Sequence, residues 1–162
     1  MARPSADRIR ASVFDRLLEP LGQERRFMTI GLRELRAIVA RDIEELLNSK
    51  TVLGRDPRVA PLEEAGASIL TYGLPDFSMF SWRSATDTRR VCNEIAAAVK
   101  AFEPRLVPGT VRVGMLEPGD LSEFRMRFRI EALLKVEPIA EPVYFDSSIQ
   151  IDTGLIRVEE AA

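Results

Sequence analysis

Histidine is missing altogether from this chain of 162 residues, and cysteine occurs once, as Cys92. Nucleophile systems that rely on a histidine base therefore lack that base, and the usual histidine- and cysteine-based zinc or copper sites lack their ligands. A single cysteine excludes an intrachain disulfide and fits a reducing compartment. Glycines stand singly at turns, with no phosphate-binding loop and no dinucleotide fingerprint. The longest uncharged apolar stretch, Ile95-Ala96-Ala97-Ala98-Val99, is far short of the ~20 residues that cross a bilayer. No export signal is visible at the start, so a cytoplasmic location is expected. What remains open is carboxylate acid/base work, a site built from Asp and Glu alone, lysine chemistry, or no catalysis.

Charge is as balanced as it is abundant. Twenty-three Lys and Arg face 25 Asp and Glu, a net charge of -2, beside 46% hydrophobic residues. This composition describes one globular domain, able to bury roughly 70% of its unfolded surface without metal or disulfide. Dedicated nucleic-acid binders are usually strongly basic, so none is expected here.

Helical spacing comes first along the chain. Ile9, Val13, Leu17 and Leu18 predict a short amphipathic helix in an arm spanning residues 1–22, docked either on its own domain or on a partner. Residues 23–162 form the domain proper. Its strongest helix runs from about Leu32 to Leu47, with Leu32, Leu35, Ile38, Val39, Ile43, Leu46 and Leu47 on one stripe and charges on the other face. Pro61 predicts a second helix through Leu62, Ala65, Ile69 and Leu70, closed by Gly73. Phe77, Phe80 and Trp82 read as an ordered loop with Trp82 packed. A third helix is capped by Ser84 or Thr86 and keeps Val91, Ile95, Val99 and Phe102 on one stripe until Pro104. Cys92 adjoins that stripe as a small buried residue.

Beyond Pro108-Gly109 the period falls to two. Strands are predicted over residues 110–116, 124–132 and 143–151, the last with a bulge at Ser147-Ser148. Helices followed by an antiparallel meander make an α+β domain, its N-terminal helices packed on a small C-terminal sheet. The strand from Val143 to Ile151 is expected at the sheet edge, where unpaired N–H and C=O groups invite a strand from another chain. Arg125, Arg127 and Arg129 line one strand face, either as ordinary wet surface or as a patch for phosphates or an acidic protein surface. Acidic pairs such as Glu44-Glu45 and Glu63-Glu64 are adjacent, and i,i+1 neighbours on a helix do not face each other, which argues against a glycosidase pair. Glu103-Pro104-Arg105 fixes a charged corner where the third helix stops, suited to recognition rather than turnover.

The chain resembles the TssE family, the small baseplate wedge subunits of bacterial type VI secretion systems, which in turn resemble a wedge protein of contractile phage tails. The likeness rests on Ser12-Val13-Phe14-Asp15-Arg16-Leu17, Leu32-Arg33-Glu34-Leu35-Arg36 with Arg41-Asp42 and Leu46-Leu47-Asn48, and Tyr72-Gly73-Leu74-Pro75-Asp76. It continues through Phe102-Glu103-Pro104-Arg105-Leu106 and Glu141-Pro142-Val143-Tyr144-Phe145-Asp146 with Asp152-Thr153-Gly154. The resemblance implies a cytoplasmic, non-enzymatic subunit assembled through the baseplate at the inner membrane. Its implied partners are TssF and TssG in the wedge and the sheath proteins TssB and TssC, with TssK a further candidate. No cofactor, metal, nucleic acid or membrane insertion is implied. Glu103, Pro104 and Arg105 would be associated with the pairing of a sheath strand, to which Phe145, Asp146, Ile149 and Ile151 of the expected edge strand would contribute. Loss of Arg105 would then weaken assembly and leave the domain folded. The same fold serves phage tails and extracellular contractile devices, and a lysozyme-like label attached to the family finds no physical support in these residues.

Overall fold

The computed structural model describes residues 9–10, 29–51, 68–77, 80–81, 84–116, 125–136 and 140–161. Strand β1 (Ile9–Arg10) pairs antiparallel with β2 (Thr29–Ile30), followed by helix α1 (Leu32–Asn48) and helix α2 (Ala85–Phe102). An antiparallel sheet then takes β3 (Arg112–Met115), β4 (Arg125–Leu134), β5 (Glu141–Gln150) and β6 (Ile156–Glu160) in that spatial order. Helices first and sheet second is the α+β order that the change of period predicts.

The apolar stripe of α1 becomes core: Leu35, Val39, Ile43, Leu46 and Leu47 are buried. Helix α2 starts where expected, with the Ser84 hydroxyl accepting the Asp87 N–H, and buries Val91, Ile95 and Val99. Cys92 is buried beside them, and burial pushes its thiol pKa up. Both helices share one apolar cluster with Phe128, Ile130, Ala132, Val143, Phe145 and Ile149 from the inner face of the sheet. Phe77 and Phe80 pack against that cluster, their ring centroids 5.4 Å apart.

Several expectations change. Ile9 and Arg10 are strand rather than helix, and the remainder of the predicted terminal helix lies outside the described residues, as do Trp82 and Phe124. Of the helix predicted from Pro61, the described part is a 3-10 turn over Ile69–Thr71, capped by the Ser68 hydroxyl. A further 3-10 turn at Pro108–Thr110 delays the first long-sheet strand to Arg112. No bulge interrupts β5: Phe128 faces Ser147 and Arg127 faces Ser148 in unbroken register. Ser147 takes an inward position in phase with Val143, Phe145 and Ile149, and its buried hydroxyl has no hydrogen-bond partner among the described residues.

The largest correction concerns the edge. Strand β5 is central, paired with β4 on one side and β6 on the other, so among the described strands the edges are β3 and β6. Strand β6 escapes a sequence reading because only Ile156 and Val158 mark it as apolar and Gly154 precedes it closely. Backbone groups of Leu155 and Ala161 bond to β5, through Gln150 N to Leu155 O and Ala161 N to Tyr144 O. By antiparallel alternation, Ile156, Val158 and Glu160 therefore point their N–H and C=O groups away from β5.

Helix α1 fills much of that outer side. The Asn48 side-chain amide donates to Ile156 O at 2.8 Å and its carbonyl accepts Ile156 N–H at 2.9 Å, imitating a peptide group of a neighbouring strand. A Glu44 carboxylate oxygen accepts Val158 N–H at 2.8 Å. Arg36 donates to Glu160 at 3.1 Å and to Glu141 at 3.2 Å, tying the end of β6 to the start of β5. Asn48→Ala leaves the Ile156 pair without partners, so a loss of about 1–3 kcal/mol is expected in denaturant melts. An unchanged midpoint would mean that water replaces the amide at no net cost.

Candidate functional site

Helix α2 ends because Pro104 has no N–H to continue the ladder, and its last bond runs from Glu103 N to Val99 O at 3.0 Å. The Glu103 side chain then turns inward and is only 4% exposed. Arg105 answers it at every donor in reach: its backbone N–H and Nε donate to Glu103 Oε1 at 3.0 and 2.7 Å, and Nη2 donates to Oε2 at 2.5 Å. The same Nη2 donates to Asp42 Oδ2 at 2.6 Å, while Arg41 holds Asp42 Oδ1 through Nε at 3.0 Å and Nη2 at 2.8 Å. Burial alone would favour the neutral guanidine, but the bonds to Glu103 and Asp42 outweigh it and hold Arg105 charged more firmly than usual.

Main-chain bonds lock this corner to the sheet. Arg105 O accepts Lys135 N–H at 2.8 Å, Val107 N donates to Leu133 O at 2.9 Å, and Leu106, fully buried, bridges Leu134. The Pro104 carbonyl accepts Lys135 Nζ at 2.7 Å. From there the chain passes through the 3-10 turn directly into β3. Glu103-Pro104-Arg105 thus joins α1, α2 and β4, and sets where β3 lies.

A cleft of about 430 Å³ opens beside the corner, lined by Asp42, Glu45, Tyr72, Phe102, Pro104 and Arg105 among others. Tyr72 meets Phe102 edge to face, with ring centroids 5.2 Å apart. Its hydroxyl pKa is raised, first by burial and then by the carboxylates of Glu45, Asp42 and Glu103. Sequence reasoning finds Glu103, Pro104 and Arg105 but not Asp42, Glu45 or Tyr72 as their companions. Asp42 stands 63 positions from Arg105, a distance no local pattern spans.

The other candidate residues are not gathered here. Phe145 and Ile149 are core residues of the central strand and have no surface to offer a partner. Asp146 lies on the solvent face of the sheet, where Arg129 donates to it at 2.6 and 3.0 Å and holds its carboxyl below the usual range. Ile151 sits past β5 in the turn toward β6.

Strand β3 is different. Leu116 N bonds to Arg127 O, so by alternation Arg112 and Gly114 bond to β4 while Val113 and Met115 point their backbone groups outward. Among the described residues nothing bonds to those outward groups, and Met115 is 37% exposed. Among the described residues, one sheet edge is filled by side chains of α1 and the other is open.

The site thus combines an ion pair satisfied within the chain, a cleft at a rigid corner and a strand edge that is unpaired among the described residues. Over residues 33–139 the sequence matches the family described as baseplate wedge protein gp25, and the chain belongs to that family of baseplate structural proteins, to which TssE corresponds. The matched span includes the Glu103-Pro104-Arg105 corner, β3 and β4, and it stops before β5. No curated protein and no solved structure matches the chain. Among the described residues no helix is long and apolar enough to cross a membrane.

Proposed function

We propose that this protein is the TssE-type wedge subunit of a type VI secretion baseplate, joining TssF and TssG and helping to nucleate the TssB–TssC sheath. It does so by lending the outward side of β3 to an incoming sheath strand. The observation that carries this reading is the asymmetry of the sheet: β6 is filled by Asn48 and Glu44, while among the described residues the N–H and C=O groups of Val113 and Met115 in β3 find no partner. Each added backbone bond is worth only ~1 kcal/mol net, so a few such bonds hold a sheath subunit weakly. Repetition around a ring of wedges makes the start of the sheath stable. The Glu103-Pro104-Arg105 corner acts by presenting β3 at a fixed angle, and the cleft beside it receives a wedge partner. Catalysis has no part in this work, and Glu103 in particular has both oxygens occupied by Arg105.

The test uses Met115→Pro. An edge position whose N–H points away from the sheet accepts proline without loss of ladder bonds, yet proline deprives an incoming strand of its donor. The expected outcome is an unchanged melting temperature, retained co-purification with the TssF-like and TssG-like proteins, and loss of sheath foci in cells carrying the variant. Normal foci would remove β3 as the acceptor. Failure of the wild-type chain to co-purify with well-folded wedge partners would remove the baseplate assignment itself.

A further inference from the structure

The solvent face of the sheet sorts its charges into rows. Register places Arg112, Glu131 and Tyr144 in one row and Gly114, Arg129, Asp146 and Glu159 in the next. In the row after that Arg127, Ser148 and Arg157 stand side by side, and beyond them Arg125 faces Gln150. Arg129 is taken by Asp146. Arg125, Arg127 and Arg157 have no acidic residue opposite them and form no ion pair among the described residues. All three are exposed. The arginine row seen in the sequence is thus redrawn: one member is neutralised, and Arg157 from the unforeseen strand β6 takes its place.

We infer that Arg125, Arg127 and Arg157 form a docking corner for a short acidic segment of a partner protein, separate from the β3 edge and the cleft. Strand spacing of ~4.8 Å and a rise of ~3.3 Å per residue set the three positions roughly 7 to 12 Å apart. That is too wide for one phosphate or one carboxylate and matches two or three carboxylates along a peptide. Like charges gathered across strands repel one another, and an acidic segment lying over Ser148 and Gln150 relieves that repulsion with charge-assisted bonds. A nucleic acid fits less well. Asp146 and Glu159 lie one row away, ~7 Å, within the ~8 Å screening length at physiological salt, and oppose a longer polyanion. The chain as a whole carries a net charge of -2, and among the described residues no aromatic ring lies between the three arginines for bases to stack on.

The experiment titrates the full-length protein into a fluorescein-labelled ten-residue oligoglutamate, and into a labelled single-stranded DNA of equal charge, at several salt concentrations. The wild type is expected to bind the peptide in a salt-dependent manner and at least ten-fold more tightly than the DNA. The triple variant Arg125→Gln, Arg127→Gln, Arg157→Gln should lose ten-fold or more in peptide affinity, and Arg127→Gln alone should lose part of it. A charge-matched control, Arg33→Gln, Arg89→Gln, Lys100→Gln on the exposed helix faces, should bind as the wild type does. All substituted side chains are exposed, and melting curves confirm folding of each variant. Equal losses in the two triple variants, no peptide binding by the wild type, or tighter binding of the DNA would each overturn the inference.

Discussion

Arg105→Ala is expected to destabilise the domain by about 3 kcal/mol, because it strands a buried carboxylate. Removing one partner of a buried ion pair costs about 3–5 kcal/mol, most of it the price of the charge left behind. The lower end applies here, since the Arg105 side chain is 26% exposed while that of Glu103 is 4% exposed, and water reaches the corner from one side. For a domain of this size the melting temperature should fall by roughly 6–12 °C. The sequence-based expectation that loss of Arg105 spares the fold conflicts with this bonding: the residue joins two helices through Asp42 and Glu103. Arg105→Lys keeps the charge but not the planar fork, so it should fall between wild type and alanine. The decisive comparison adds Glu103→Gln to Arg105→Ala. With no charge left to bury, the double variant should melt above Arg105→Ala alone, and a double variant that melts lower would sink the ion-pair account. It follows that an assembly defect of Arg105→Ala says little about recognition until folding is measured, which is why Met115→Pro carries the functional test.

Gly73→Ala should cost as much or more, for reasons of space and backbone together. Gly73 has φ +105°, a region L residues rarely adopt, and a Cβ there would run into the Ser49 carbonyl. That carbonyl has nowhere to retreat. It accepts Leu74 N–H at 2.8 Å, while Thr51 N–H donates to Leu74 O at 3.0 Å, so the end of α1 and the Gly73-Leu74 segment are pinned together. Backbone strain of ~1–3 kcal/mol and overpacking of ~1–3 kcal/mol add to about 3 kcal/mol or more. Gly154 is the internal comparison: it also has positive φ, +69°, but nothing among the described residues lies within 4 Å of its added Cβ. Gly154→Ala should therefore cost only about 1 kcal/mol. Equal effects at the two glycines in thermal melts would show that conformation alone matters and that the contact with Ser49 yields. Because Tyr72 precedes Gly73 and lines the cleft, Gly73→Ala should also disturb the cleft proposed to receive a wedge partner.

The extent of sequence legibility differs by element. Helices α1 and α2 were readable because a 3.6-residue stripe of apolar residues has one physical use, and Ser84 and Pro104 mark the ends of α2 by rules that act within a turn of helix. Alternation from Arg125 onward likewise declared a strand with one wet face. The Ser147-Ser148 pair misled because a polar residue at an inward position looks like a break in phase, whereas the sheet holds its register and buries the hydroxyl instead. Strand β6 was too short to announce itself.

By itself, then, the sequence determined the α+β class, the helix stripes, the corner at Glu103-Pro104-Arg105 and, through its motifs, membership of the wedge family. Only the tertiary structure decided which strand is central and which edge is open, since strand order depends on contacts between segments far apart in the chain. It alone revealed that Asn48 and Glu44, 108 and 114 residues from their backbone partners, fill the β6 edge. It alone revealed that Arg105 is the counterion of a buried carboxylate, Glu103. Periodicity and caps act over a few residues and are written locally; pairing of edges, ions and clefts is settled by which distant segments meet.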